Sequence, residues 1–171
     1  MRKQLILALL LCGLFATGYA QSRSFTVAAG PLLSFPTGSS KSAFAMKTGI
    51  GVEGMGQYQL TGKSALLVQT NWATYGARDP DWFYQRKRLS IFSLAAGYRY
   101  TIVASGFFGN LLTGFDKSSA FPSSSLIFRV GGGKRFLLAK ERYIDASVDY
   151  TFGDTHERLN LKALISLFQK R

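Results

Sequence analysis

The sequence has very little cysteine and histidine, with one of each among 171 residues. The cysteine, Cys12, lies within the first 20 residues, so a chain cleaved after Ala20 has no disulfide and no thiol chemistry. The histidine, His156, would have to act in any mechanism that uses an imidazole as acid or base. These scarcities exclude disulfide-stapled folds and zinc sites built from cysteine and histidine.

Long apolar runs are also missing. The run Leu5–Phe15 is well short of the roughly 20 residues that a membrane-spanning helix needs. It follows Arg2 and Lys3 and precedes the small residue Ala20, as in a cleavable secretory signal. We expect residues 1–20 to be a signal peptide and residues 21–171 to form one domain. Lipidation at Cys12 is disfavoured, because Leu11 stands where lipoprotein signals have a small residue.

Acidic residues are few: the chain has 9 Asp and Glu but 21 Lys and Arg, which gives a net charge of +12. A basic balance often indicates nucleic-acid binding. Here the basic residues are scattered through apolar segments, and an exported protein rarely meets nucleic acid. We therefore expect no nucleic-acid partner, and favour lipopolysaccharide phosphates as counterions over a merely solvated basic surface.

After Ala20, apolar and polar residues repeatedly alternate with a period of two, and no helical periodicity is sustained. This alternation predicts eight strands, most of them long enough to cross a membrane. They cover residues 24–35, 46–60, 64–75, 88–101, 106–115, 126–136, 143–152 and 159–168. The last of these, Leu159–Phe168, alternates cleanly and ends on an aromatic residue.

The connections between these strands alternate in length. The short ones are 61–63, 102–105 and 137–142; the longer ones are 36–45, 76–87 and 116–125, with 153–158 the shortest of the second set. Short turns on one side and long loops on the other are typical of outer-membrane barrels, with the turns in the periplasm. The predicted fold is all-β, an eight-stranded antiparallel up-and-down transmembrane β-barrel.

Alternation also assigns faces. In the seventh strand the even-numbered residues from Ile144 to Phe152 are apolar, whereas Asp145, Ser147 and Asp149 are polar; the sixth and eighth strands agree. Counting from the turns puts Asp149 level with Val130 and Lys162.

Ion pairs are therefore expected in the lumen. The same count places Asp149 between Arg129 and Lys162, Asp145 near Arg135, and Glu53 inward beside Asn71 and Gln69. Buried charges are tolerated only when paired and hydrogen-bonded. Acidic and basic residues in similar number predict a plugged barrel.

Aromatic residues are expected to form two girdles at the membrane interfaces. The girdle at the short turns contains Tyr58, Tyr98, Tyr100, Phe107, Phe136, Tyr143 and Phe168. The girdle at the long loops contains Phe35, Phe44, Trp72, Phe92, Phe115, Tyr150 and Phe152. The alternative is that these are core aromatics of a soluble sandwich.

Two glycine motifs resemble nucleotide-binding loops but lack the required context. Residues 49–54 match the dinucleotide fingerprint in letters, yet alternation continues to Leu60 where that motif needs a helix. Residues 131–134 lack the spacing of a phosphate loop. Both are better explained as strand glycines that relieve crowding.

Catalysis and metal binding have weak support. His156 could serve a lipid A deacylase only with a serine from another strand, such as Ser166 or Ser124, and an exposed loop histidine is the favoured interpretation. Asp79 and Asp81 are too few to indicate calcium. We expect no enzyme activity, no cofactor and no metal.

The loop at residues 78–88 is the candidate surface contact. It combines exposed aromatics with a basic cluster, which is typical of contact surfaces. Its residues are Arg78, Trp82, Phe83, Tyr84, Arg86 and Lys87. The favoured alternative is an interfacial belt whose basic residues neutralise lipopolysaccharide phosphates.

With these features the chain resembles the small outer-membrane β-barrel proteins of Gram-negative bacteria, most of all the outer membrane protein beta-barrel domain or porin-like family of Bacteroidota. The resemblance covers residues 21–171. It implies an outer-membrane location and assembly by the barrel insertion machinery, but no single shared activity. Gln169, Lys170 and Arg171 follow Phe168, whereas such barrels often end on the aromatic residue.

Four functional hypotheses follow. The first is an integral barrel of structural or surface-interaction type with a side-chain-plugged lumen. The second is a narrow channel or binding barrel for a small solute, apolar solutes included. The others are a lipid A modifying enzyme and a soluble periplasmic lipocalin-like binder.

Overall fold

The computed structural model describes residues 24–38, 46–77, 88–102, 105–119, 124–139, 142–153 and 157–170. Eight strands form one sheet in which each strand is antiparallel to its neighbours in the sequence. The sheet closes into a barrel because β1 also pairs with β8. The strands are β1 (Phe25–Thr37), β2 (Met46–Gln59), β3 (Ser64–Ala77), β4 (Arg88–Ile102), β5 (Phe107–Ser118), β6 (Ser124–Ala139), β7 (Arg142–Gly153) and β8 (Glu157–Lys170). The predicted fold class is confirmed. The predicted signal peptide lies outside the described residues.

The strands extend beyond most of the predicted bounds by one to three residues, because pairing continues into the connections. β3 and β4, for example, remain paired up to Gly76 and Arg88. Three connections, β2 to β3, β4 to β5 and β6 to β7, start from one end of the barrel, the turn end, and the other four start from the opposite end, the loop end. Gly106, with φ of +70°, closes one of the turns, a conformation that glycine adopts without strain.

The registers around β7 differ from those predicted. Asp149 lies opposite Gly131 rather than Val130, and opposite Asn160 rather than Lys162. Directly opposed residues share a face in an antiparallel pair, so an inward Asp149 cannot oppose the outward Val130. The turn is the cause: β6 and β7 continue into residues assigned to the connection, and an irregularity lies between Leu137 and Ala139.

The two faces of the wall differ sharply in chemistry. The exterior presents large apolar side chains along every strand; Ile50, Val68, Leu111 and Leu126 are each more than half exposed. The interior is buried and largely polar or charged. This is the reverse of a soluble protein, and it is the arrangement of a barrel surrounded by lipid. Among the residues that the structure describes, no helix is long and apolar enough to cross a bilayer.

Aromatic side chains ring the exterior at both ends, with one correction to the prediction. Tyr98, Tyr100 and Phe136 are exposed near the turn end, and Trp72 and Phe92 near the loop end. Tyr143 was assigned to the first girdle but is only 3% exposed. It alternates with the outward Ile144 and therefore points into the barrel, where Arg135 stacks on its ring at 3.6 Å. Phe44 lies outside the described residues.

Both glycine motifs lie within strands, as expected. Residues 49–54 belong to β2 and residues 131–134 to β6, with no helix following either. Gly51 faces inward, and a Cβ added there would overlap the Trp72 carbonyl oxygen and lie 2.7 Å from Ala73 Cα. The glycine therefore allows the backbone of β3 to approach β2 closely, which the tight curvature of a small barrel requires.

Candidate functional site in the barrel lumen

Within the described ranges, nine charged side chains lie in the barrel interior. Four are acidic and five are basic. They are Glu53, Asp116, Asp145 and Asp149, with Arg99, Arg129, Arg135, Arg158 and Lys162. Since a buried ion is costly unless it is paired, their partners determine what this interior can do.

Asp145 organises the turn end of the lumen. Its carboxylate accepts from Arg99 Nη1 at 2.6 Å and, in a two-pronged contact, from Arg135 Nε at 2.7 Å and Nη2 at 2.8 Å. Arg135 comes from the strand position directly opposite. Gln57 Oε1 accepts from both guanidinium groups, at 3.1 and 3.2 Å. We call Asp145, Arg99, Arg135 and Gln57 the Asp145 cluster.

Arg99 has a full set of neighbours. Its Nε donates to Asn110 Oδ1 at 2.9 Å, and its guanidinium lies 3.9 Å from the centre of the Phe108 ring. A planar guanidinium can bond carboxylate and amide oxygens at its edge while its face stacks on an aromatic ring. Arg99 therefore connects β4 to β2, β5 and β7 across the lumen.

A second group, the Glu53 cluster, lies in the middle of the barrel and consists of Glu53, Asp149, Lys162, Arg129 and Gln69. Lys162 Nζ donates to Glu53 Oε1 at 2.6 Å and also pairs with Asp149. Arg129 Nη1 lies 3.6 Å from Glu53 Oε2, and Gln69 Oε1 accepts from both cations, at 3.1 and 3.3 Å. Two anions and two cations thus balance in one fully buried group.

Toward the loop end, Arg158 pairs with Asp116. Arg158 Nη2 lies 2.7 Å from Asp116 Oδ2 and 3.4 Å from Ser93 Oγ. A neutral chain continues beside this pair, in which Tyr75 donates to Ser34 at 2.8 Å and Ser34 donates to Asn160 at 2.7 Å. Polar contacts therefore extend from one end of the lumen to the other.

Apolar side chains fill the interior between these polar groups. One cluster joins Met55, Leu67, Leu112 and Leu164 with Ala28 and Ala95. Met55 lies between Glu53 and Gln57 on β2 and so separates the two charged clusters. A second cluster, nearer the loop end, consists of Leu32, Met46, Ala73, Tyr75, Leu89 and Ile91.

The structure brings together most, but not all, of the pairs expected from the sequence. Asp145 meets Arg135, and Asp149 meets Lys162. Arg129 pairs with Glu53 instead of Asp149, because the register places it opposite Thr151, whose Oγ1 accepts from Arg129 Nε at 3.3 Å. Lys162 reaches Asp149 although Asn160 is the residue directly opposite, since a lysine side chain is long and flexible.

Three lumen ions were not predicted: Arg99, Asp116 and Arg158. The sequence contained the signal for Arg99, because it alternates with the outward Tyr98 and Tyr100. The predicted strand bounds leave Asp116 and Arg158 in connections. Continuing the alternation of β5 beyond Phe115 and of β8 before Leu159 would have assigned both to the inner face.

Most of the other candidate residues belong to segments that the structure does not describe. Residues 78–87, with Arg78, Trp82, Phe83, Tyr84, Arg86 and Lys87, lie outside the described residues, as do Asp79, Asp81 and His156. Ser166 is buried at the turn end of β8, where its Oγ accepts from Tyr143 N at 2.8 Å. Within the described ranges, no three His, Cys, Asp or Glu side chains are grouped to hold a metal ion.

Comparison with solved structures identifies the fold. The attachment invasion locus protein Ail of Yersinia pestis is 15% identical, covering 88% of this chain and all of Ail, with a TM-score of 0.59. Neisserial surface protein A is 14% identical over 85% of this chain and 98% of its own, with a TM-score of 0.62. The outer membrane protein OprG of Pseudomonas aeruginosa is 9% identical over 88% and 97%, with a TM-score of 0.58.

This chain has the fold of the small outer-membrane β-barrels. No protein-family model and no curated protein matches the sequence. The apolar exterior also indicates a membrane-spanning barrel. Strands can cross lipid only as a closed barrel, because closure satisfies every backbone hydrogen bond. A protein with this wall crosses the bacterial outer membrane.

Proposed function

We propose that this protein is an integral outer-membrane barrel of structural or surface-interaction type, whose lumen is closed by its own side chains. One observation carries the proposal: the Asp145 cluster, the Glu53 cluster and the Arg158–Asp116 pair lie one after another along the lumen, with apolar side chains between them. The proposed role is not catalytic.

The energetics of the Glu53 cluster support a closed state. A path for water or solute would have to separate Lys162 from Glu53 and Asp149, which are at most 2% exposed. Breaking one buried pair costs about 3–5 kcal/mol when it leaves an uncompensated charge. The Asp145 cluster would then have to open as well, so a steady open state is strongly disfavoured.

Conductance tests this proposal. We expect purified barrels in a planar bilayer to show no steady opening in symmetric salt, while a porin inserted in the same membrane conducts. Folding of the barrel is verified by heat modifiability, because folded small barrels migrate differently from boiled ones. Long-lived openings of uniform size from the folded form would instead favour the second hypothesis, a narrow channel or a binding barrel for a small solute.

The surface role depends on orientation, with the turn end in the periplasm and loop 78–87 outside the cell. Cysteine labelling can test this, because Cys12 is the only cysteine of the chain and belongs to the proposed signal peptide. We expect Trp82→Cys to react with a membrane-impermeant maleimide on intact cells. Gly62→Cys, in the turn between β2 and β3, is the matched control and should react only after the outer membrane is permeabilised. The reverse pattern would contradict the orientation and the surface role with it.

We further propose that the barrel insertion machinery assembles the chain and that lipopolysaccharide surrounds its outer half. The supporting observations are the exposed exterior cations near the loop end, Lys47, Arg88 and Lys117. The contact role of the aromatic and basic residues of loop 78–87 remains part of this proposal.

A further inference from the structure

The lipid-facing wall has a concave strip on β2 and β3. Two grooves adjoin there, of about 600 Å³ toward the turn end and about 590 Å³ toward the loop end. The first is lined by Gly54, Gly56, Val68 and Thr70 with Phe25 and Tyr58 at its lower edge. The second is lined by Ile50, Val52, Trp72 and Thr74, and ends at Arg88. Together they run from one aromatic girdle to beyond the other.

The glycines at the floor of this strip are not required by the barrel itself. A Cβ added to Gly56 would meet only ring atoms of Phe25, at 3.8 and 3.9 Å, and one added to Gly54 would come no closer than 3.4 Å to Thr70. Neither residue has a positive φ. The inward Gly51 of the same strand contrasts with them, because backbone atoms of β3 fill the space above it. A strand glycine often marks a bulge, a tight bend, or the close approach of a ligand or another backbone. The pairing of β2 with β1 and β3 is regular at Gly54 and Gly56 and no backbone of the barrel crowds them, which favours a ligand.

Two exposed cations stand at the upper end of the strip. Arg88 lies opposite Gly76 in the pairing of β3 with β4, and the Lys47 side chain passes over Gly76 from β2, its Cδ 3.6 Å from where a Cβ would lie. Because Gly76 has no side chain, Lys47 can lie over it, beside the position that Arg88 opposes. The hydroxyl-bearing Thr48 and Thr74 line the groove just below. Cations and hydroxyl groups at this position are suited to a phosphorylated head group.

The part of the strip between Gly76 and Thr70 has the depth of one leaflet. From Gly76 to Thr70 the strand advances about 20 Å, which at a tilt of about 40° covers about 15 Å of depth. This is half of the roughly 30 Å of hydrocarbon in a bilayer. A phosphate held between Lys47 and Arg88 would therefore place the ends of its acyl chains over Gly54.

We infer that this strip is a specific site for one phosphoglycolipid of the lipopolysaccharide class, with its phosphate at Lys47 and Arg88 and an acyl chain over Gly54. The inference rests on the proposed function, since it requires the loop end to face the outer leaflet. A second copy of the chain fits less well. Two barrels related by a two-fold axis along the membrane normal would bring the same cations together at one level.

The test uses folded barrels in phosphatidylcholine nanodiscs and native mass spectrometry, with bisphosphorylated lipid A as the probe. We expect one retained lipid A per barrel. Gly54→Val should reduce its retention at least fivefold by filling the groove, and so should the double variant Lys47→Gln with Arg88→Gln by removing the phosphate contacts.

Two matched controls should retain lipid A as the unmodified protein does. Gly109→Val adds the same bulk at another outward glycine, where the nearest atom to a new Cβ is 3.9 Å away. Lys63→Gln removes an exposed cation at the turn end, in the connection between β2 and β3. Valine favours strands, so these glycine variants should remain folded, which heat modifiability verifies.

Several results would overturn the inference. One is equal retention of lipid A by all variants, and another is equal loss in the controls. Retention of phosphatidylglycerol as strong as that of lipid A would rule out the glycolipid head group. A lipid-free dimer that disappears in Gly54→Val would make a second copy the occupant. Each of these outcomes can occur in a barrel that is closed and correctly oriented, so failure here is distinguishable from failure of the proposed function.

Discussion

Replacing Asp145 by alanine is expected to destabilise the barrel by about 3–5 kcal/mol, the cost of leaving buried charge without its partner. Asp145 is fully buried and is the carboxylate shared by Arg99 and Arg135. Without it, two guanidinium groups face each other with only the neutral Gln57 between them. Urea unfolding in phospholipid vesicles, followed by the fluorescence of Trp72 and Trp82, measures the change.

A compensated variant separates charge from packing. Asp145→Leu combined with Arg99→Met and Arg135→Met replaces the ions by apolar side chains of similar volume, and such replacements are often neutral or stabilising. We expect it to recover most of the stability that Asp145→Ala loses. If both variants are equally unstable, the Asp145 cluster matters for its shape and not for its charge. If Asp145→Ala unfolds like the unmodified protein, the described ion pairs do not stabilise this barrel.

Replacing Gly51 by alanine should cost about 3 kcal/mol, although the change adds only one methyl group. The new Cβ would overlap the Trp72 carbonyl oxygen, and backbone cannot move aside as a side chain can. Overpacking of this kind typically costs about 1–3 kcal/mol, and a backbone clash belongs at the upper end. The same urea titration measures this effect.

Gly56→Ala is the matched control on the same strand. Its new methyl group would lie 3.8 Å from Phe25, so it fits without strain. Alanine restricts the unfolded chain more than glycine does, and a gain of about 0.4–1 kcal/mol is expected. Equal effects at the two positions would contradict the close approach of β3 to Gly51.

Much of this architecture could be predicted because alternation and turn spacing carry the information locally. The inward faces of Asp145, Asp149 and Lys162 follow from the apolar residues immediately before and after each of them, which point outward. The closed order of strands follows from short connections, which join neighbours. These rules need no knowledge of distant residues.

The pairing of ions could not be predicted in the same way. Opposing residues depend on the geometry of each turn, and the irregularity between Leu137 and Ala139 shifts β6 against β7. Partners inside the lumen also depend on side-chain reach: Arg99 crosses from β4 to β7, and Arg129 reaches Glu53 on β2. The strand pattern does not encode distances across the barrel. The surface contact at residues 78–87 remains a prediction.

Lys162 and Glu53 are 109 residues apart along the chain, so the charge of Glu53 is neutralised only when the barrel is nearly complete. Glu53 is synthesised early, yet its nearest cation arrives only with the eighth strand. An unfinished sheet entering hydrocarbon would have to carry bare carboxylates, and charge at the bilayer centre is heavily penalised. Insertion and completion of the cylinder should therefore be one cooperative event, which favours an all-or-none crossing over the gradual threading of hairpins.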